Sequence, residues 1–503
     1  MAMTETLTLA DNGAAILEQI GALGSDQPTT RVDTHAATIL LNGDRAWKFK
    51  RPVSFSYLDF STPDRRRAAL DAEYRLNSRT APQLYHGVHA IRRDIDGTLS
   101  LDGPGETVDW VLEMTRFTDD ALLVRKAEAG ALDDPMLRRL ATKVAELHRS
   151  AEVCDDEDGA ARLRAVVDGN AVSMSRFPDI LDPRLAAELT DRLRHLIDTH
   201  ADLLNGRARA GRVRHGHGDL HLGNIAVLDD VPVPFDCLEF DAELATTDVL
   251  YDLAFLLMDL WARGLRHEAN VVANTYFDLS PDDEHDYGLL PLAMSVRATV
   301  RAHVSAAQGD ASRARDFLSL ALRLIEPVAP RLVAIGGGSG TGKSTLAGAV
   351  GGDVGAAPGA RILRSDVLRK RLAGVPAETR LPRSGYTRDM SRRVYDDLKR
   401  LAALHLTARM SVIADAVFGR PADRTAIAEV AAREDCRFTG IWLELHETER
   451  IARIEARGPD ASDADAGVAR RQTRSLQAPD DDDWFTVDAG GDALSPVRRH
   501  LIR

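Results

Sequence analysis

The chain has 503 residues and a mass of 54.9 kDa, which at roughly 100–200 residues per domain predicts about two to four domains. With 44% hydrophobic and 28% charged residues the chain is not disordered throughout, no apolar run reaches the roughly 18 residues of a membrane span, and a net charge of -13 disfavours a general nucleic-acid coat. Cys154, Cys237 and Cys436 are far apart and form neither a disulfide framework nor a metal-ligand spacing, and the first ten residues lack the start of a signal peptide, so a reducing cytosol is expected.

The charge is unevenly spread: residues 326–503 hold 28 Lys+Arg against 25 Asp+Glu, so the acidic excess lies before them. Lysine occurs seven times, at 48, 50, 126, 143, 343, 370 and 399, and arginine supplies the other cations. Solvated faces account for most of this pattern. Lys48, Lys50 and Lys343, however, fall in candidate phosphate-binding segments.

In chain order, residues 35–60 and 108–117 read as strands, and 136–150 and 184–200 as helices. In Ala46-Trp47-Lys48-Phe49-Lys50 the alternation puts both lysines on one strand face. Glu73 follows in a helical stretch, DAEYRLN, and then comes Asp109-Trp110-Val111-Leu112-Glu113-Met114. The strongest signal of this half is His217-Gly218-Asp219-Leu220-His221-Leu222-Gly223-Asn224. Its Asp-x-x-x-x-Asn spacing is that of a kinase catalytic loop, where the Asp accepts or orients an acceptor hydroxyl and the Asn reaches a metal ion. Asp236 follows twelve residues later, in the place of a second metal-binding acid. A buried polar turn of chance spacing is the alternative, against which His217, Asp219, Asn224 and Asp236 all agree.

His-Gly-Asp in place of His-Arg-Asp resembles the aminoglycoside and choline phosphotransferase branch of the protein-kinase-like fold. The resemblance implies a bilobal N-terminal domain over 1–325, with a lobe linker near 111–117. It implies that Asp219 is catalytic, that Asn224 and Asp236 hold Mg²⁺, and that one strand lysine meets the α/β-phosphates of ATP. Lys48 is preferred over Lys50, which lies two residues before Pro52. Glu73 would pair with that lysine, and backbone groups near Glu113 and Met114 would bind adenine. The helix over Asp248–Asp259 would follow the loop, with Asp252 bracing it. Arg297 and Arg301 fit surface salt bridges better than substrate contacts. In one respect the chain departs from the family: Thr34-His35-Ala36-Ala37-Thr38 stands where a glycine-rich loop normally covers the phosphates.

Two prolines in IEPVAPR, near 325–331, end a helical pattern before an apolar strand and mark the domain boundary. Beyond it strands and helices alternate, which implies a parallel sheet wrapped by helices over 330–503. Gly337-Gly338-Ser339-Gly340-Thr341-Gly342-Lys343-Ser344 matches G-x-x-x-x-G-K-[ST] between a strand and a helix. The glycines, Gly337, Gly340 and Gly342 among them, let backbone N–H groups wrap a phosphate, with Thr341 and Thr345 beside it. Lys343 would reach the β/γ-phosphates and Ser344 would hold Mg²⁺. Arg364-Ser365-Asp366-Val367-Leu368-Arg369 follows the second strand, and Val412-Ile413-Ala414-Asp415 is an apolar strand ending in an acid. Asp415 could join the Mg²⁺ shell or simply cap the strand.

This half resembles the small P-loop kinases: gluconate kinase, polynucleotide 5′-kinase and the zeta-toxin kinases. By that resemblance Asp366 accepts the acceptor's hydroxyl proton, Arg369 holds the acceptor or its phosphate, and Arg453 and Arg457 are lid arginines. A helix cap for Asp366 and a solvated helix face for the arginines are the alternatives. The whole chain resembles bacterial fusions of an aminoglycoside-phosphotransferase-like domain with a P-loop kinase domain. The expected architecture is therefore α/β and α+β, a bilobal kinase-like domain followed by a P-loop parallel-sheet domain.

The expected activity is ATP-dependent phosphotransfer at both sites, each to a hydroxyl of a small molecule such as a sugar or aminosugar. One alternative makes one domain catalytic and the other a nucleotide-sensing regulator. Another makes the C-terminal domain a nucleic-acid 5′-hydroxyl kinase, which a charge near neutrality disfavours without excluding.

Overall fold

The computed structural model describes residues 16–18, 20, 28–34, 36–55, 58–155, 157–239, 245–456, 458, 461–480 and 483–502. The chain divides into two compact units, one of residues 1–162 and 204–253, the other of 163–203 and 254–503. This division cuts across the expected boundary at 325–331. The helices between 254 and 325 group with the phosphate-loop sheet.

In the first unit β1 (Thr30–Asp33), β2 (Ala37–Asn42), β3 (Arg45–Lys50), β4 (Tyr85–Arg93), β5 (Leu99–Leu101) and β6 (Glu106–Thr115) form one antiparallel sheet, in the order β1-β2-β3-β6-β4-β5. Helix α1 (Pro63–Asn77) starts where the Thr62 side chain accepts from Arg65 N–H and Pro63 supplies the first helical residue. The side-chain alternation of β3 decides what faces it. Ala46 packs with Leu70 of α1 and with Leu112 and Met114 of β6. Trp47 and Phe49 pack on the other face with Ile91 and Val111. Lys48 and Lys50 are in phase with Ala46 and so reach towards α1.

Further along, the helix expected over 136–150 is α2 (Asp134–Ser150), capped by Asp133. β7 (Val213–His215) and β10 (Thr246–Asp248) pair antiparallel and bracket the catalytic-loop motif and a hairpin of β8 (Ile225–Leu228) and β9 (Val231–Pro234).

The second unit is built on a five-stranded, wholly parallel sheet: β11 (Arg331–Gly337), β12 (Arg361–Arg364), β13 (Val412–Asp415), β14 (Arg437–Glu444) and β15 (Trp484–Asp488), in the order β12-β13-β11-β14-β15. Its strands are apolar on both faces because helices cover both. Leu332 and Ala334 pack with Leu398, Leu401, Ile427 and Val430. Val333 and Ile335 pack on the opposite side with Leu346, Ala347 and Val350. The chain moves from β11 to one side, then returns across it to β14. That switch opens a crevice at the carboxyl ends of the central strands, where open α/β sheets bind ligands.

Candidate active site

β11 ends in the phosphate loop, and α3 (Lys343–Gly351) begins directly after Gly342. Gly340 (φ 87°) and Gly342 (φ 92°) hold left-handed backbone that side-chain-bearing residues disfavour. A Cβ on Gly340 would also lie 2.5 Å from the Arg450 carbonyl oxygen. Lys343 Nζ donates to the Gly338 carbonyl at 3.0 Å, and Ser344 Oγ donates to Asp415 Oδ2 at 2.5 Å. Arg364 Nε lies 3.8 Å from the same Asp415 oxygen. Burial pushes the Asp415 carboxyl up, with Lys343 and Arg364 opposing.

A cleft of about 1680 Å³ runs along this edge of the sheet. Gly340, Thr341, Gly342, Lys343, Ser344, Thr345, Asp366, Arg369, Asp415 and Arg453 all line it, and Gly337 does not. Gly337 instead closes the strand, its N–H donating to the Val417 carbonyl at 3.1 Å. Asp366 lies in the first turn of α4 (Ser365–Leu372), whose N-cap is Arg364, so Asp366 is not the cap. Arg369, on the same helix, donates to the Gly385 carbonyl at 3.1 Å, with its guanidinium over the Tyr386 ring. Arg453 lies on α6 (Glu447–Glu455), where Nη2 donates to the Ala489 carbonyl at 2.8 Å. Arg457 lies outside the described residues.

Several residues of this site carried no sequence signal. Arg450 packs so tightly on the loop that a Cβ at Gly338 would meet its guanidinium. Its place on the α6 face that bears Arg453 is visible only once the helix is known. Gln472, on α7 (Ala466–Ser475), accepts from Ser339 N–H at 2.7 Å. Asp463 gathers Lys370 Nζ at 2.6 Å, the Tyr386 hydroxyl at 2.5 Å and Leu381 N–H at 2.9 Å.

In the first unit, Lys48 Nζ donates to Glu73 Oε1 at 2.6 Å and to Asp236 Oδ1 at 3.0 Å. Lys50 Nζ meets the other Glu73 oxygen at 2.7 Å and also Glu239. Both lysines thus reach Glu73, and Lys48 also reaches Asp236. Burial raises the Glu73 carboxyl, but the two lysines outweigh it and hold it at about 2. Burial lowers the Lys48 ammonium, yet Asp236, Glu73 and Glu239 keep it well above the ordinary lysine value.

The catalytic-loop motif turns as one piece. Asn224 Nδ2 donates to Asp219 Oδ2 at 2.9 Å and to the Asp219 carbonyl at 3.0 Å. Asp252, fully buried, accepts from His217 N–H at 2.8 Å and Gly218 N–H at 3.0 Å. His217 Nε2 lies 3.0 Å from the Phe235 carbonyl, tying the loop to the residue before Asp236. Asp236 adopts left-handed backbone (φ 60°), and its N–H donates to the Tyr85 hydroxyl at 3.2 Å.

Glu113 and Met114 require a correction. They lie inside β6, paired on both sides, with Trp47 and Ala46 of β3 and with Gly87 and Tyr85 of β4. The sheet therefore occupies the backbone expected to meet adenine, and the expected 111–117 linker is strand as far as Thr115. Arg297 is buried, its guanidinium over the Phe255 ring. The turn in place of a glycine-rich loop is tight, Thr34 N–H donating to the Ala37 carbonyl at 2.8 Å, and His35 lies outside the described residues.

The donor chemistry fits Mg²⁺, which takes one or two protein oxygens and completes its shell with water and phosphate. Ser344 and Asp415 converge in this way, and Asn224 and Asp236 offer oxygens of the same kind. Among the described residues no group of three or more His, Cys, Asp or Glu converges as a metal cage. No described helix is long and apolar enough to cross a membrane.

Fold and site together define, in the second unit, a P-loop domain, with the phosphate loop between the strand and helix of a parallel sheet, and, in the first, an antiparallel sheet with the Asp219–Asn224 loop. A family profile described as an AAA domain matches residues 332–479. The chain is 30% identical over 485 residues to the uncharacterized protein Rv2004c of Mycobacterium tuberculosis, covering 93% of this chain and 94% of that protein, and it belongs to the same family. Among solved structures, a choline/ethanolamine kinase family protein from Mesorhizobium loti aligns with 63% of this chain and 95% of its own, at 14% identity and a TM-score of 0.40. A gluconokinase from Sinorhizobium meliloti 1021 aligns with 34% and 89%, at 20% identity and a TM-score of 0.25.

Proposed function

We propose that the chain is an ATP-dependent phosphotransferase with two nucleotide sites, each passing the γ-phosphoryl group to a hydroxyl of a small molecule. The observation that carries this reading is the cleft at the sheet edge, which gathers Lys343, Ser344, Asp415, Asp366 and Arg369. There an acceptor oxygen attacks the γ-phosphorus, the bond to the β-phosphate oxygen breaks, and Asp366 takes the hydroxyl proton. Lys343 and Arg453 neutralise phosphate charge, and Arg369 orients the acceptor. Bound Mg²⁺ would supply charge neutralisation between phosphates, held by Ser344 and Asp415.

In the first unit the same logic gives Asp219 the proton, Lys48 the phosphates, and Asn224 and Asp236 the metal. Adenine contacts from the linker backbone then fall to residues after Thr115. The cytosol supplies ATP and acceptors. A second reading, in which the first unit senses nucleotide without turnover, is favoured by the tight turn at Thr34–Ala37.

Both readings are tested with γ-phosphate-labelled ATP and a fractionated cytosolic extract, comparing wild type, Asp219→Ala and Lys343→Ala. Two independent kinases predict that each variant loses a different labelled small molecule. If Asp219→Ala loses none, the first unit is the sensor; label in nucleic acid would redirect the acceptor class.

A further inference from the structure

The residues assigned to the acceptor, Asp366 and Arg369, ride on the continuous stretch β12–α4. The two ends of that stretch converge on one carboxylate. Arg361, at the start of β12, donates through Nε to Glu284 Oε1 at 2.7 Å and through Nη2 to Glu284 Oε2 at 3.0 Å. Arg371, near the end of α4, donates through Nη1 and Nη2 to the same Oε2, each at 3.0 Å. Asp366 lies midway in sequence, five residues from each arginine. His405, on α5 (Arg388–Thr407), completes the ring with Nε2 at 2.9 Å from Oε1.

Glu284 is 1% exposed. Burial raises its carboxyl, but Arg361 and His405 outweigh this and hold it far below the usual range. The preceding helix, Arg266–Leu279, reinforces the contact. Asn274 Oδ1 accepts from Arg361 Nη1 at 2.9 Å and from Ile362 N–H at 2.7 Å, and Asp278 takes Arg361 Nη2 at 2.6 Å. Arg361 and Arg371 thus share the Glu284 carboxylate, and Asp278 gives Arg361 a second.

Such a cluster is weak evidence for stability, because apolar side chains of like volume often serve as well. What it supplies beyond an apolar contact is direction. A bidentate guanidinium fixes orientation, as Arg361 does on both Glu284 oxygens, and Arg371 adds two N–H groups on one of them, so both ends of the stretch are held. We infer that Glu284 is a positioning residue for the phosphate-loop site, setting Asp366 and Arg369 against Lys343 and Ser344. The inference rests on the phosphotransfer reading, and it places the start of the working C-terminal kinase well before residue 330.

The test uses the full chain carrying Asp219→Ala, with Mg·ATP and water as acceptor, and mant-ATP as the binding probe. Arg371→Gln is the informative variant, because Glu284 keeps Arg361 and His405. Its kcat should fall about tenfold or more, as small misplacements of reacting groups do. Its KM, and the part of the mant-ATP binding that Lys343→Ala removes, should stay within about twofold, and Arg371→Lys should recover part of the rate. Glu284→Gln should lose at least as much kcat and also melt earlier. Unchanged kcat in a folded Arg371→Gln overturns the inference and leaves the phosphotransfer reading standing. Equal loss of binding and kcat also overturns it, since that marks a merely structural contact. If wild type neither binds nor hydrolyses ATP better than Lys343→Ala, both readings fall together.

Discussion

Replacing Asp252 by Ala tests what holds the catalytic loop. The carboxylate is fully buried and accepts from two backbone N–H groups, His217 at 2.8 Å and Gly218 at 3.0 Å, with His148 Nε2 at 3.2 Å. Alanine leaves both amides without this acceptor. A buried donor left unsatisfied costs about 1–3 kcal/mol, so the two together cost roughly 2–6 kcal/mol. Taking about 3 kcal/mol as local, opening of the loop becomes on the order of a hundredfold more frequent. Hydrogen exchange of amides 217 and 218 should accelerate by that factor, while amides of the phosphate loop exchange as in wild type. Transfer attributed to the first unit should fall in parallel, because Asp219 directly follows Gly218. Exchange at 217 and 218 within about threefold of wild type would refute the reasoning: something other than Asp252 would then hold the loop.

Glu73 should contribute about 3 kcal/mol at neutral pH, from a carboxyl at about 2 in the fold against 4.5 when free. Because its folded value is depressed, that contribution is complete above about 4.5 and is lost as pH falls through about 2. Urea midpoints of wild type and Glu73→Gln should converge on acidification, and a gap constant with pH would count against the pairing. Asp415 has the opposite sign. Its raised carboxyl makes the fold less stable as pH climbs past the ordinary aspartate value. Asp415→Asn should therefore melt later at neutral pH while Mg²⁺-dependent ATP affinity drops about tenfold or more; calorimetry and titration together check this. Asp366→Asn should lower turnover about 10²- to 10⁴-fold with ATP affinity retained, measured by labelled transfer. Gly340→Ala should cost about 1–3 kcal/mol and weaken ATP binding, as a melting curve with and without ATP would show.

The phosphate loop was legible because its chemistry is local: eight consecutive residues carry the turn, the lysine and the hydroxyl. The same holds for Asp219 and Asn224, which hydrogen-bond across five positions of one loop. Strand alternation likewise placed Lys48 and Lys50 on the face that meets Glu73. Glu113 and Met114 were misjudged because an apolar strand shows its pairing only through its partners, and β6 has one on each side. Arg450, Gln472 and Asp463 were illegible for a related reason. Each acts on residues distant in sequence, at positions where Arg, Gln or Asp would equally suit a solvated surface. Glu284 sits in SPDDEHD, whose composition marks a loop, and only the fold reveals two arginines closing on it.

The two units are interleaved along the chain, each made of two separate stretches. This has a consequence for synthesis. The first unit can close once residue 253 has emerged, but the helix Pro183–Thr199 waits for the helices it packs on, Leu290–Ala307 and Ala311–Leu324. From residue 203 to 324, at about 5–20 residues per second, that wait is roughly 6–24 s, during which this amphipathic helix lacks its packing surface. A nascent chain of this kind is a natural client for holding chaperones, and a fragment beginning at 330 would leave the ribosome without part of its own unit.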